Sequence, residues 1–258
     1  MPRFTIGTST KMYFTHEKTR SWMHAVAEIV SRHTAARSGA VEFFAIPTFP
    51  SIPAALEIAA PAGVAIGAQD LASELHGAFT GEVSGAELAE LGCSLVEVGH
   101  AERRAMFGET EEVVAKKVLA ALQSGLTPLI CVGEAREGDA HAAAAECVRL
   151  IESALSLARA AGVGGSVIIA YEPIWAIGAP APAGTDHIRG VCRVLRSHLQ
   201  ADTLFEHARV IYGGSAGPGL LPKIAEDVDG MFLGRFAHDP EAVRAILDEA
   251  EQLIVSTP

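Results

Sequence analysis

The sequence predicts an α/β protein built as one (β/α)8 barrel, a single domain across residues 1–258. Its length is the first observation, because 258 residues match the roughly 250 that such a barrel occupies. The second is a series of short apolar, β-branched runs, eight in all. Between them lie longer segments rich in Ala, Leu, Glu and Arg with apolar residues three and four apart, the spacing of one helix face. Strands buried on both faces and separated by helices form a parallel sheet, and eight such units can close on themselves with the working site at the strands' C-terminal ends. The same alternation also permits an open, doubly wound sheet.

In chain order the predicted strands are 4–7, 41–46, 64–68, 95–99, 127–132, 166–171, 209–213 and 230–234. The clearest helical patterns run over 112–123 and 142–160. Ser84 followed three residues later by Glu87 fits a capping box, and Asp239-Pro240 fits an N-cap with a first-turn proline. The stretch Ala179-Pro180-Ala181-Pro182-Ala183-Gly184 is too short to divide the chain and reads as a strand-to-helix loop.

Composition narrows the function. Apolar residues make up 49% of the chain and charged residues 20%, the profile of a packed core. A net charge of −11 without a basic stripe argues against nucleic acid, whose binding needs clustered Lys and Arg. A small anion is still admissible where backbone N–H groups and a few cations override the global field. The four cysteines lie at wide spacings without a paired ligand motif, so reduced thiols in the cytoplasm are expected. No apolar run is long enough for a membrane span or a signal peptide.

Polar residues that follow the strands are the candidates for chemistry: Lys11, Gln69, His100, Glu102, Glu134, Glu172, Ser215 and Arg235. Gly7, Gly99, Gly178, Gly213, Gly214 and Gly234 fall at the same ends, where backbone N–H groups could hold an anion. Taken singly, each has a plainer role: a surface lysine, a structural histidine, a Glu that caps a helix, glycines that serve a turn. Their shared placement at strand ends points to an acid–base pair beside a phosphate cradle.

Val98-Gly99-His100-Ala101-Glu102-Arg103-Arg104, with Phe107-Gly108-Glu109 after it, resembles the signature of triosephosphate isomerases. Cys131-Val132-Gly133-Glu134, Ala170 to Gly178 (AYEPIWAIG) and Tyr212-Gly213-Gly214-Ser215 resemble three more blocks of that family, in family order, so the likeness runs from Gly7 to about Ala237. It implies a TIM barrel and a cofactor-free, metal-free isomerase acting on a small phosphorylated sugar. By the same resemblance Glu172 is the base, His100 the electrophile that polarises the carbonyl, and Lys11 the cation facing the enediolate. Glu102 corresponds to the buried carboxylate that pairs with the lysine near an intersubunit contact. Gly178, Ser215, Gly234 and Arg235 would donate backbone N–H groups to phosphate, and the loop from Pro173 to about Gly184 would close over the substrate. Gly77 to Glu82 resembles the dimer loop, whose threonine, here Thr80, reaches the neighbouring subunit's site, which implies a homodimer.

Four departures surround the substrate. The family's Asn-Trp-Lys-Met stands here as Ser9-Thr10-Lys11-Met12, and the Gly-Gly pair after the eighth strand as Gly234-Arg235. Prolines 180 and 182 should stiffen the lid tip by fixing φ, and Ala101 replaces a serine. Ser9 and Arg235 resemble the related L-erythrulose-1-phosphate isomerases, whose substrate is one carbon longer. A non-catalytic phosphosugar-binding barrel is a competing class, against which the joint presence of Lys11, His100 and Glu172 argues. An aldolase would want a Schiff-base lysine at a later strand end, and none of those ends offers one.

Overall fold

In the computed structural model, which describes residues 2–205 and 207–256, eight parallel strands close into a barrel in strict chain order. They are β1 (Phe4–Ser9), β2 (Val41–Ile46), β3 (Val64–Ala68), β4 (Leu95–Val98), β5 (Thr127–Val132), β6 (Ile168–Tyr171), β7 (Arg209–Tyr212) and β8 (Gly230–Leu233). Closure is made by β1 against β8, with Thr5 opposite Gly230 and Thr8 opposite Leu233. The doubly wound alternative is thereby excluded. β1 runs two residues beyond its predicted end because Thr8 and Ser9 continue the ladder opposite Ala45 and Ile46, and the Thr8 hydroxyl donates to the Leu233 carbonyl at 2.9 Å.

Alternation along the strands divides two cores. Outward residues such as Phe4, Ile6, Val96, Val98, Tyr171 and Tyr212 pack against the helices. Inward residues Phe44, Leu95, Leu129, Ile168, Ile211 and Phe232 plug the barrel interior. At its floor Arg209 reaches Glu42 Oε2 at 2.9 Å and also contacts Thr5 Oγ1. Gly7 belongs to this plug: a Cβ there would sit 2.2 Å from the Phe44 ring. Gly7→Ala should therefore cost about 1–3 kcal/mol by overpacking, most of it recovered by adding Phe44→Leu, as urea denaturation of the three proteins would report.

Several of the helices begin at side-chain caps. α1 (His16–Arg32) packs on α3 (Ile52–Ala59), which lies against β3, while α2 (Thr34–Arg37) lies against β2, and α4 (Gly85–Leu91) begins where Ser84 Oγ accepts the Glu87 N–H. After β4 come α5 (Ala101–Phe107) and α6 (Glu111–Gln123); after β5, α7 (Ala140–Ala161) starts two residues before its predicted range because Asp139 caps it. α8 (Thr185–Gln200), α9 (Leu221–Ile224) and α10 (Pro240–Ser256) complete the ring, and Asp239 Oδ1 accepts the Glu241 N–H at the start of the last.

Behind β3 and β4 a buried ion network ties α5 and α6 to the loop after β3. Lys117 Nζ lies 2.6 Å from both Asp70 Oδ1 and Glu109 Oε1, and Arg103 bridges the same two carboxylates at 2.7 and 2.5 Å. Burial pushes the Asp70 carboxyl up despite Lys117. Burial also works against the Glu109 carboxylate, but hydrogen bonds from Lys117 and Arg103 outweigh it and hold the group below its ordinary value. Among the described residues no helix is long and apolar enough to cross a membrane, and all four cysteines are buried and free.

Candidate active site

The strand ends open into a cavity of about 640 Å3, whose lining includes Ser9, Lys11, Glu102, Glu172, Gly178, Ser215, Gly234 and Arg235. Lys11 stands in the first loop with φ +45°, a left-handed conformation that a side chain adopts only when its surroundings impose it. Gln69 supplies the restraint: its Nε2 donates to the carbonyls of Lys11 and Ile46 at 3.1 and 3.2 Å. Lys11 Nζ then reaches Glu102 Oε1 at 2.8 Å and His100 Nε2 at 3.3 Å. Burial tends to lower the ammonium's pKa, but the Glu102 hydrogen bond and the charges of Glu102, Glu172 and Glu97 raise it overall.

His100 is the N-cap of α5, and its Nδ1 accepts the Glu102 backbone N–H at 3.1 Å. An N–H can only donate, so Nδ1 carries the lone pair and the ring is the neutral tautomer with its proton on Nε2. The Glu102 carboxylate is 3.5 Å from the same nitrogen, outside the amide's shorter contact. Nε2 faces Glu172 Oε2 at 3.6 Å. Glu172 follows β6 and is buried, yet its Oε2 has no hydrogen-bond partner among the described residues. Glycine makes room for it: a Cβ on Gly213 would lie 2.6 Å from Glu172 Oε1, and one on Gly133 2.0 Å from the Glu172 carbonyl oxygen.

The loop after Glu172 is held down at several points. Glu134 Oε1 accepts from Trp175 Nε1 at 2.8 Å and lies 3.1 Å from His187 Nε2, while both of its oxygens meet the Tyr171 hydroxyl. Further along, Ser215 Oγ donates to the carbonyls of Ala176 and Ala179 at 2.9 Å each, and the Tyr212 hydroxyl accepts the Ala183 N–H at 3.0 Å. The loop thus held lines the cavity with Ile177, Gly178, Ala179 and Pro180.

Some strand-end residues have other work. Gln69 and Glu134 brace the first loop and the lid stem. Gly7, Gly99 and Gly214, named above as possible anion ligands, do not line the cavity. Gly7 accommodates Phe44, Gly99 sits against Val114 and Arg104, and Gly214 against the Tyr212 hydroxyl. Thr80 lies away from the cavity on an exposed loop beside exposed Phe79. Glu97, an inward-facing carboxyl buried beside Lys11, His100 and Glu172, was missed by attention to strand ends alone. Its signal was present, since a Glu between two valines in an apolar strand has to be accommodated somewhere.

Residues 4–250 match the triosephosphate isomerase family model. The chain belongs to the triosephosphate isomerase family. Within it, the chain is 47% identical over 248 residues to an L-erythrulose-1-phosphate isomerase of Pectobacterium atrosepticum, covering 96% of each protein. A protein of the same name from Brucella abortus is 37% identical over 251 residues, again 96% of each. A triosephosphate isomerase of Alkalilimnicola ehrlichii is 40% identical over 222 residues, 82% of this chain and 86% of that one. The closed barrel agrees with family membership, and the named relatives are isomerases.

Proposed function

We propose that this chain isomerises a four-carbon ketose phosphate, interconverting L-erythrulose 1-phosphate and D-erythrulose 4-phosphate through an enediolate. The observation that carries the chemistry is an unpartnered Glu172 oxygen and the Lys11 ammonium lining one cavity, with His100 Nε2 3.6 Å from the first and 3.3 Å from the second. In this reading Glu172 removes the proton from the carbon beside the carbonyl. The C–H electron pair becomes the C=C bond while the carbonyl π pair moves to oxygen, where His100 and Lys11 donate. The hydroxyl proton passes from its own oxygen to the former carbonyl oxygen, with His100 Nε2 as the relay, and Glu172 returns the carbon-bound proton to the former carbonyl carbon, so the carbonyl has shifted by one position with no net redox change. Backbone around Gly178, Ser215 and Gly234, with Arg235 at the rim, receives the phosphate. Lid closure keeps water from the enediolate. The exposed Phe79 beside Thr80, the exposed Met12 and Tyr13 of the loop after β1, and the exposed Met106 and Phe107 that end α5 after β4 suit a homodimer contact.

The four-carbon substrate is favoured by Ser9, whose buried hydroxyl has no hydrogen-bond partner among the described residues and can meet a terminal hydroxymethyl group. It is supported by the likeness to the Pectobacterium protein. The triose substrate is the second reading, supported by the Alkalilimnicola relative. Comparing kcat/KM for L-erythrulose 1-phosphate and dihydroxyacetone phosphate separates the two. The double variant Ser9→Asn, Arg235→Gly should move that ratio toward the triose by about 10–200-fold, the range one methylene commands. A wild-type preference for the triose that the variant leaves unmoved would reject the four-carbon assignment.

A further inference from the structure

The barrel holds a carboxyl that the reaction just described does not use. Along β4, Val96 and Val98 face the helices while Leu95 belongs to the interior plug, so Glu97 points inward above that plug and is 4% exposed. From β5 the Cys131 thiol faces Glu97 Oε1 at 4.0 Å, and among the described residues no cation lies within 4 Å of its carboxylate. The other groups that act on it are Ser9 on β1, Lys11 in the loop after it, His100 beyond the end of β4 and Glu172 after β6. The Ser9 hydroxyl favours the charged form without reaching hydrogen-bond geometry to any protein atom.

Two buried carboxylates that act on one another, with a single nearby ammonium already paired with Glu102, cannot both ionise cheaply. Glu172 must be charged to act as a base, so the proton belongs on Glu97. Burial, reinforced by Glu172 and opposed by His100 and Lys11, pushes the Glu97 carboxyl up to about 7. Cys131 is held well above its ordinary value by burial, then by Glu172 and Glu97, so it remains a thiol that can donate to either carboxyl.

We propose that Glu97 is a positioning residue of this active site: protonated, it holds the Cys131 thiol beside the base, and once ionised it slows enolisation by placing a second negative charge beside the developing enediolate. This rests on the isomerase reading and adds to it a control over when turnover runs. An apolar residue would fill the same place with less cost, so a buried polar group here is expected to act on the site.

The test is the pH dependence of kcat/KM for wild type, Glu97→Gln and Glu97→Leu, with whichever phosphosugar the wild type turns over. Wild type should fall at least tenfold across a midpoint near the carboxyl's value of about 7, from like-charge repulsion at close range. Glu97→Gln should lack that fall; Glu97→Leu should lack it too, but with a kcat several-fold below that of the Gln variant. An unchanged alkaline fall in Glu97→Gln would refute the proposal. Thermal unfolding reads the same proton without substrate. The folded chain holds it more tightly than the unfolded one, so wild type loses stability as pH climbs from the ordinary glutamate value of 4.5 to about 7, and none beyond. The advantage of Glu97→Gln in melting temperature should open over that window and then stay constant; a constant advantage at all pH would equally refute it. Were wild type to turn over neither sugar phosphate, the isomerase reading would fail, and a melting difference that opens over that window would still locate the proton on Glu97.

Discussion

Replacing Glu172 with Gln is expected to lower kcat by about 10²–10⁴-fold while KM stays within a few-fold, because the change removes the proton acceptor and almost nothing else. The substitution keeps the side chain's shape, which matters at a position walled by Gly213 and Gly133. It breaks no protein hydrogen bond at Oε2, which has none. Melting temperature should therefore hold or rise slightly, since a buried charge has been removed from beside Glu97. Steady-state kinetics and exchange of the substrate's carbon-bound hydrogen in deuterated buffer report the loss directly. A variant that kept a tenth or more of wild-type kcat with undiminished exchange would remove Glu172 from the role of base and leave the cavity to be read as a binding site.

Much of this site could be read from the sequence because its chemistry sits where strands stop. Lys11, His100 and Glu172 each follow an apolar run, and in a closed parallel barrel all such positions meet at one rim. The strand cores were equally legible, since eight apolar runs separated by helical patterns admit few arrangements. What stayed hidden depends on contacts between residues far apart in sequence. Glu97 lies inside a strand, and only closure sets it beside Glu172, which is two strands on. Ser215 was expected to contribute a backbone N–H, and nothing local to it foretold that its hydroxyl would clamp the carbonyls of Ala176 and Ala179. The restraint on Lys11 by Gln69 is of the same kind, a bond across fifty-eight positions. Boundaries shifted for local reasons: ladder pairing carried β1 to Ser9, and the Asp139 cap began α7 early.

The largest effect on stability is expected from Lys117→Met, which keeps the stem's volume and deletes the charge. Lys117 is the only ammonium in the buried network, and its loss leaves Asp70 and Glu109 facing one another with Arg103 alone between them. Breaking one partner out of a buried ion pair costs about 3–5 kcal/mol, well above what deleting an exposed pair would cost. The direction of the pH dependence follows from the two carboxyls. Glu109, held low overall by Lys117 and Arg103 against the effect of burial, contributes stability at neutral pH that is lost as pH falls through its folded value. Asp70, pushed up by burial, instead takes stability away as pH rises above its unfolded value. In the variant Asp70 loses its nearest cation and Glu109 one of its two, so the cost of keeping both carboxylates charged rises at neutral pH and vanishes once they are protonated. The deficit measured by urea denaturation should thus be greatest near pH 7 and shrink toward about pH 4. Adding Asp70→Asn to Lys117→Met should recover part of it by removing one uncompensated charge. Because Arg103 lies on α5, three residues after His100, the single variant should also lower kcat modestly at temperatures where it remains folded. A loss of stability equal at both pH values would mean that packing of the lysine stem, and not charge, holds α5 and α6 to the loop after β3.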